Sequence, residues 1–249
     1  MKNSVKKIGF SFAAVVFWIA VWHILAVTAN RDLMLKIPLP LDTLRAFLEN
    51  CAEAGFWAAV GRSLLGILLG FGAAVLFGGI FGIISGSSAF FKTLTAPVMH
   101  LIRSVPVAAF VVLAWLWIPS PVLPSFISFF MVFPIVWSHI EAGLLSVDAR
   151  LIEMARVMGM NRMGIIRHIK IPATLPQFRT AVITGLSFAW KSGVAAEVIT
   201  DPVGRLGALL SSAKSSIDYE QVFAVTLTVV LLSALLQNAL RLVWRERSR

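Results

Sequence analysis

The sequence predicts an all-α integral membrane protein with about six transmembrane helices. Of its 249 residues, 58% are hydrophobic and only 14% are charged, and the mean hydropathy is +0.86. A soluble domain of this length could not bury so much apolar surface. The apolar residues gather in stretches of about 20 residues, which is the length a helix needs to cross the hydrocarbon core of a bilayer.

Six such stretches lie along the chain, at residues 8–29, 57–84, 95–118, 122–144, 176–200 and 221–244. The first has the basic start of a cleavable signal peptide, but its length and the spans that follow favour a retained helix. We divide the chain into residues 1–56, with the first span and an external amphipathic segment, and residues 57–249, a transmembrane core. The core includes a cytoplasmic loop at about 145–175.

The net charge of +10 is distributed so that it orients the protein in a membrane, and we expect no binding to nucleic acid. With the amino terminus inside, most basic residues fall on or near the cytoplasmic side, as the positive-inside rule requires. These are Lys2, Lys6, Lys7, Lys92, Arg150, Arg156, Arg162, Arg167, Lys170, Arg179, Arg241, Arg245, Arg247 and Arg249. Those left outside are Arg31, Lys36, Arg45, Arg62, Arg205 and Lys214, together with acidic residues such as Asp32. Both termini are therefore predicted to be cytoplasmic, with an even number of spans.

The second span carries a small residue at every fourth position, namely Gly66, Gly70, Ala74, Gly78, Gly82 and Gly86. Because lipid supplies no hydrophobic drive between helices, close backbone approach along such a ridge is how they pack. The pattern therefore predicts a helix interface. A helix that slides or rocks is the functional alternative.

Three ionisable residues in or near the spans are candidate pathway residues, because charge inside a membrane is costly and usually functional. Arg103 either snorkels to the cytoplasmic surface or lines a pathway. Lys191 and Glu197 are six residues apart, so they do not pair directly on a straight helix. One interpretation is structural: Glu197 reaches the external surface, and Lys191 binds either backbone carbonyls or Glu141. The alternative is that Lys191 contacts an anionic substrate in the pathway.

No group of residues in the sequence suits catalysis. Phe91 precedes Lys92 and Thr93 at the position where a phosphate-binding loop requires glycine. The four histidines are scattered over different elements, and Cys51 is the single cysteine, so we expect neither a metal centre nor an intramolecular disulfide. We therefore predict that this chain is not an enzyme and holds no cofactor.

The cytoplasmic loop begins with a short amphipathic helix. Ala155 falls on its apolar face, whereas Glu153 and Arg156 fall on its polar face. Gly159 is suited to end this helix in a left-handed conformation.

A second amphipathic helix follows, for which Asn161 is the predicted N-cap. Ile169 belongs to its apolar side, and Pro172 is expected to close it. An ordinary basic loop between two spans is the alternative, although it would require neither the glycine nor the proline.

The run from Glu153 to Gly159, followed by Ile169-Lys170-Ile171-Pro172, resembles the cytoplasmic EAA loop of permease subunits of ABC importers, E-A-A-x3-G-x9-I-x-L-P. Met154 and Ile171 are apolar replacements within that pattern. From Trp57 to Trp244 the chain is similar to type I ABC-importer permeases, and most similar to the nitrate, sulfonate and taurine branch. The runs that carry this closer resemblance are Arg62–Gly66, Arg103–Pro106, Ala189–Gly193, Ala195–Glu197 and Gly204–Leu209.

The resemblance implies a type I permease fold in the inner (cytoplasmic) membrane, and a function in ATP-driven import of a small solute such as a sulfonate, taurine or a nitrate-like anion. It implies cytoplasmic ATPase subunits that hydrolyse the ATP, an external solute-binding protein and a second copy of the permease. The implied ATPase-coupling residues are Glu153, Ala155, Arg156, Gly159, Ile169 and Pro172. The alternatives are a permease of the same superfamily for another cargo, such as a pyrimidine vitamin precursor, and a non-transporting membrane scaffold.

Overall fold

A computed structural model describes residues 2–30 and 36–246, and every regular element in this part of the chain is a helix. In chain order the helices are α1 (Lys2–Ala29), α2 (Pro40–Ala52), α3 (Ala54–Ser87), α4 (Ala89–Ser104), α5 (Val107–Trp115), α6 (Leu123–Leu145), α7 (Ala149–Val157), α8 (Arg162–Ile165), a π-helical turn (Ile166–Lys170), α9 (Ile171–Thr200), α10 (Leu206–Ser215) and α11 (Tyr219–Glu246). Of the predicted charge pattern, Arg31, Asp32, Arg247 and Arg249 and the side chains of Lys2, Lys6, Lys7 and Arg245 lie outside the described residues.

Several of these helices are long and apolar enough to cross a membrane, which confirms the all-α membrane fold. They are Ala54–Ser87, Leu123–Leu145, Arg162–Thr200 and Tyr219–Trp244, and the bent pair α4 and α5 counts as a fifth if it forms one span. In α1, Ala13–Ala29 is a shorter apolar helix. A span at the N-terminus, which would bring the number to six, therefore stays a prediction.

The predicted third span, 95–118, is two helices rather than one. α4 and α5 meet at an angle of 99°, where Val105 has the extended conformation (φ −77°, ψ 126°). The ring of Pro106 disfavours helical geometry in the residue before it and cannot donate a backbone hydrogen bond. The proline therefore causes a sharp break within the stretch that was predicted to be one span.

The expectation that Pro172 closes the second loop helix is wrong. The helical path continues from Arg162 to Thr200, over 39 residues, so the fifth span does not begin afresh at residue 176. The π-helical turn makes this possible, because the N–H of Ile171 donates to the carbonyl of Ile166, five residues earlier. Pro172 follows this turn directly, as the second residue of α9, and the helix continues through it although proline has no N–H to donate.

The small-residue ridge of α3 packs directly on α6. A Cβ atom added at Gly78 would lie 2.9 Å from the carbonyl oxygen of Phe133, and one added at Gly86 would lie 2.9 Å from the side chain of Leu144. At Gly70, an added Cβ would collide with the backbone of Ser125. The register of these contacts shows that the two helices run parallel, and it confirms the predicted interface.

α6 and α9 form the most buried pair of long helices. In each, 56% of the most apolar stretch lies inside the protein, compared with 28% for α3. An added Cβ at Gly143 would touch Thr174, and one at Gly185 would touch Val132. The Ser128 hydroxyl donates to the carbonyl of Ala189 over 3.1 Å. These contacts make the pair antiparallel.

The chain divides into two compact units, one made of Met1–Ala58 and Leu209–Leu231, the other of Ala59–Ala208 and Leu232–Arg249. In the first unit, the Asn50 amide donates to Gln221 over 2.8 Å, and Trp22 stacks on Phe223 with ring centroids 5.8 Å apart. The second unit contains α6, α9 and all of the candidate site residues. The functional division into residues 1–56 and 57–249 stays a prediction.

Two adjacent glycines test the α3–α6 interface. Gly78→Ala should destabilise the protein by about 1–3 kcal/mol, because its methyl group would press against Phe133 and Val136. Gly79→Ala is the matched control, since nothing lies within 4 Å of its Cβ position and alanine favours a helix by about 1 kcal/mol. Thermal unfolding in detergent should show a lower Tm for the first variant only. Equal Tm values would contradict the proposed interface.

Candidate functional site

The first helix of the cytoplasmic loop, α7, has a defined cap at each end. At its start the Asp148 carboxylate accepts a hydrogen bond from the N–H of Arg150 over 2.9 Å. At its end Gly159 has φ +78°, and the N–H groups of Gly159 and Met160 donate to the carbonyls of Arg156 and Ala155, each over 3.0 Å. This is the Schellman arrangement. The predicted left-handed conformation of Gly159 is confirmed.

The second loop helix begins at Asn161, as predicted. Its side-chain oxygen accepts from the N–H of Gly164 over 2.7 Å, which makes it the N-cap of α8. Ile165 is buried at 5% exposure, Ile169 is half-buried, and Pro172 is exposed. Because α8 leads through the π-helical turn into α9, the loop is joined rigidly to the core of the second unit.

α7 exposes large apolar side chains next to charged ones. Ala155 is buried at 5% exposure and holds the helix to the rest of the unit, whereas Met154, Val157 and Met158 are 55%, 88% and 80% exposed. Glu153 and Arg156 are also exposed. The apolar side chains of α7 thus divide into a small buried contact and an exposed patch, which we call the α7 patch (Met154, Val157 and Met158). Such a patch is typical of a protein-binding surface.

A basic cavity of about 370 Å³ lies beside α7, lined by both loop helices and by Ser87. Its charged residues are Arg156, Arg162 and Lys170. No acidic residue lines it among the described residues, so its electrostatic potential is positive. A carboxylate from another protein would be attracted to this position.

Glu197 lies fully buried, at 0% exposure, in a polar network at the C-terminal end of α9. One carboxylate oxygen forms an ion pair with Arg205 over 3.2 Å. The other accepts from the Ser63 hydroxyl over 2.7 Å and from the N–H of Gly207 over 3.1 Å. The Ser63 hydroxyl in turn accepts from the N–H of Leu206 over 2.9 Å.

The expectation that Glu197 reaches the external surface is therefore wrong. Both of its oxygens accept hydrogen bonds within the protein. We therefore propose a structural role for Glu197 rather than a role in a pathway. The structural reason is that Gly207 allows the chain after α9 to approach so closely that an added Cβ would collide with Glu197. Buried carboxylates require this kind of complete hydrogen bonding.

Glu141 forms a second network towards the C-terminal end of α6. It pairs with Lys92 over 2.9 Å and accepts from the Ser85 hydroxyl over 2.6 Å and from the indole N–H of Trp137 over 3.2 Å. The proposed alternative pairing of Glu141 with Lys191 is therefore wrong. Lys191 is exposed.

The Arg103 side chain reaches the middle of α6, where its guanidinium donates to the carbonyl of Pro134 over 3.1 Å. It lines a cavity of about 430 Å³ between α4, α5, α6 and α9. The structure thus places the three candidate pathway residues in different environments. Arg103 faces a cavity, Lys191 is exposed on α9, and Glu197 is buried.

Ser63, Arg205 and Ser85, the partners of the two glutamates, were not identified as such from the sequence. Ser63 and Arg205 do lie in motif runs that carry the family resemblance, at Arg62–Gly66 and Gly204–Leu209. The resemblance drew attention to Ser63 and Arg205 but did not indicate their contacts, because Ser63 is separated from Glu197 by 134 positions along the chain.

The two networks should differ in their contribution to stability. Glu197→Ala should cost about 3–5 kcal/mol, because it leaves the guanidinium of Arg205, whose side chain is only 14% exposed, without a counter-charge. Glu141→Ala should cost less, since the side chain of Lys92 is 48% exposed and water can solvate it. Thermal unfolding of the purified variants in detergent checks the order. A Glu141 variant that is the less stable of the two would contradict this assignment.

Comparison with known proteins agrees with these features. The sequence is 29% identical to the taurine transport system permease protein TauC of Escherichia coli (strain K12), with 97% of this chain and 89% of that protein covered. It is 27% identical to the putative aliphatic sulfonates transport permease protein SsuC of Bacillus subtilis (strain 168), with 92% and 82% covered.

The fold is similar to that of a chain in the crystal structure of a bacterial ABC transporter involved in the import of the acidic polysaccharide alginate. The TM-score is 0.61 at 15% identity, with 99% of each chain covered. The sequence model for binding-protein-dependent transport system inner membrane components matches residues 66–248. This chain therefore belongs to the family of binding-protein-dependent transport system inner membrane components.

Proposed function

We propose that this chain forms the membrane pathway of an ATP-driven importer whose cargo is a small sulfonate or a similar anion. Family membership supports the transport role, and the named substrates of the taurine and aliphatic sulfonate relatives support the class of cargo. ATP is hydrolysed on separate cytoplasmic subunits, and an external solute-binding protein delivers the cargo. A second copy of the chain completes the pathway.

The observation that carries the coupling role is the α7 patch on a helix with both ends capped. An apolar surface of three large side chains next to a basic cavity suits a partner that offers an apolar groove rimmed by carboxylates. We assign this partner as the ATPase subunit. Glu153, Ala155, Arg156 and Gly159 shape the contact, whereas Ile169 and Pro172 belong to the connection to α9.

Movement at this contact would reach the pathway through α9. The helical path from Arg162 to Thr200 is continuous over 39 residues, and a helix of that length extends for about 58 Å at about 1.5 Å per residue. α9 is packed tightly against α6 through Gly143 and Gly185. A displacement of the loop is therefore transmitted to the most buried helix pair of the unit.

The protein is proposed to lie in the cytoplasmic membrane with both termini and the α7 patch inside. The basic residues of α7, α8 and the π-helical turn support this orientation under the positive-inside rule. The segment 201–220 is then external.

The first test uses the backbone conformation of Gly159. Gly159→Val places a β-branched residue at φ +78°, which costs about 1–2 kcal/mol and should distort the end of α7. Gly159→Asn is the matched control, because asparagine adopts this conformation more readily and nothing lies within 4 Å of the Cβ position.

The readouts are taurine uptake into proteoliposomes that contain the permease, its ATPase subunits and the binding protein, and the ATPase activity stimulated by the loaded binding protein. Gly159→Val should lower both at least tenfold at an equal amount of membrane-inserted protein, while Gly159→Asn stays within about twofold, given the strain energy above. Normal coupling in the valine variant would contradict the coupling role of α7. No uptake of either taurine or methanesulfonate by the wild-type complex would contradict the proposed cargo.

Orientation can be tested with single cysteines in a Cys51→Ser background. Ser212→Cys should react with a membrane-impermeant thiol reagent added to intact cells, whereas Asn161→Cys should react only after the membrane is permeabilised. Both native residues are exposed in the structure, so a lack of reaction reports the membrane barrier. The opposite labelling pattern would overturn the orientation.

A further inference from the structure

The cavity beside Arg103 has an uncompensated positive charge. The two carboxylates within the spanning helices of the second unit, Glu141 and Glu197, are already paired with Lys92 and Arg205. Among the described residues, Arg103 has no acidic partner, and its guanidinium donates a hydrogen bond to the backbone carbonyl of Pro134. An arginine at this depth without a counter-charge is energetically costly unless water or an anion reaches it.

A second cation lies along the same wall. Thr184 and Phe188 of α9 line the cavity, and Lys191 follows Phe188 by three residues, which places it on the same face of the helix. All three are exposed. Within the part of the chain that the structure describes, the Lys191 side chain makes no hydrogen bond or ion pair. Lys191 does not itself line the cavity, but it adds a second positive charge to the face of α9 that does.

The cavity also offers neutral hydrogen-bonding groups and an apolar wall. The hydroxyls of Thr174, Thr180 and Thr200 each donate to the carbonyl four residues earlier. The Thr184 hydroxyl has no such partner among the described residues, so it is available to a ligand. Phe130 and Phe188 provide apolar surface, and a volume of about 430 Å³ is ample for a small organic anion.

The cavity continues towards the Glu141 network. Arg103 and Ser138 also line a neighbouring cavity of about 270 Å³, whose wall includes Lys92 and Glu141. Arg103 thus lies where two cavities of the same unit meet. A solute held there would have a route along α4 and α6 towards the end of the unit that carries the cytoplasmic loop.

We propose that Arg103, Thr184 and Lys191 form a binding site for a small monovalent oxyanion, a sulfonate being the class of ligand. Arg103 provides the direct charge-assisted hydrogen bonds, Thr184 donates one neutral hydrogen bond, and Lys191 attracts the anion along the α9 wall. This proposal rests on the proposed function, because it names the place through which the anionic cargo passes.

The test measures the charge at the site directly and does not require transport. In the complete complex with its ATPase subunits, Thr184→Cys in a Cys51→Ser background is treated with sulfonatoethyl or trimethylammonioethyl methanethiosulfonate. The ratio of the anionic to the cationic rate should exceed the ratio for a free thiol in solution by about tenfold. Adding Arg103→Gln and Lys191→Met should return the ratio to that of the free thiol.

Matched variants separate charge from structure. Arg103→Lys keeps the charge and should keep most of the rate ratio. Arg179→Gln removes a cation from α9 that does not line the cavity, and it should leave the ratio unchanged. A ratio equal to that of the free thiol, or one that is unaltered by removing Arg103 and Lys191, would overturn the site.

Binding is tested separately with methanesulfonate as the probe. It should protect the cysteine at position 184 from the uncharged reagent methyl methanethiosulfonate, and Arg103→Gln should abolish the protection. Absence of protection in the variant that retains Arg103 would also overturn the proposal. If the site passes both tests while the wild-type complex imports neither taurine nor methanesulfonate, the cargo assignment fails and the anion site stands.

Discussion

Close backbone contact between α3 and α6 is the constraint on which the second unit depends. In a bilayer the lipid tails are as apolar as the side chains, so helices associate where small residues let their backbones meet. The ridge from Gly70 to Gly86 provides such a surface. Ser63 and Ser85 lie near its two ends, where one hydroxyl contacts Glu197 on α9 and the other contacts Glu141 on α6.

Two carboxylate networks pair the glutamates of the spanning helices in this unit. Each buries or half-buries a glutamate with one cation and one serine, Arg205 with Ser63 in one case and Lys92 with Ser85 in the other. A paired charge of this kind holds helices together but offers little to a passing solute. Arg103 and Lys191 lie outside these networks, and neither has a carboxylate partner among the described residues. The charges that hold the helices together are therefore distinct from those that we propose to contact the solute.

The cytoplasmic loop combines local rigidity with a continuous connection to the core. α7 is held by Asp148 at its start and by the Schellman arrangement around Gly159 at its end. The π-helical turn then carries the chain past Pro172 without ending the helix. A partner that moves α7 would consequently move α9 as well, and the tight contact of α9 with α6 extends this movement to the interior. This arrangement suits a protein that converts a conformational change of its partner into movement of its own membrane helices.

The sequence by itself determined the features that depend on local physical chemistry. The helical membrane fold follows from hydropathy and length, the small-residue interface from its four-residue spacing, and the conformations of Gly159 and Asn161 from the energetics of helix caps. Only the tertiary structure decided how far Pro106 bends the third span, that the helix continues through Pro172, and that Glu197 is buried. The hydrogen bond between Ser63 and Glu197 joins residues 134 positions apart. Such pairings depend on the register in which separate helices pack, and local sequence patterns do not encode that register.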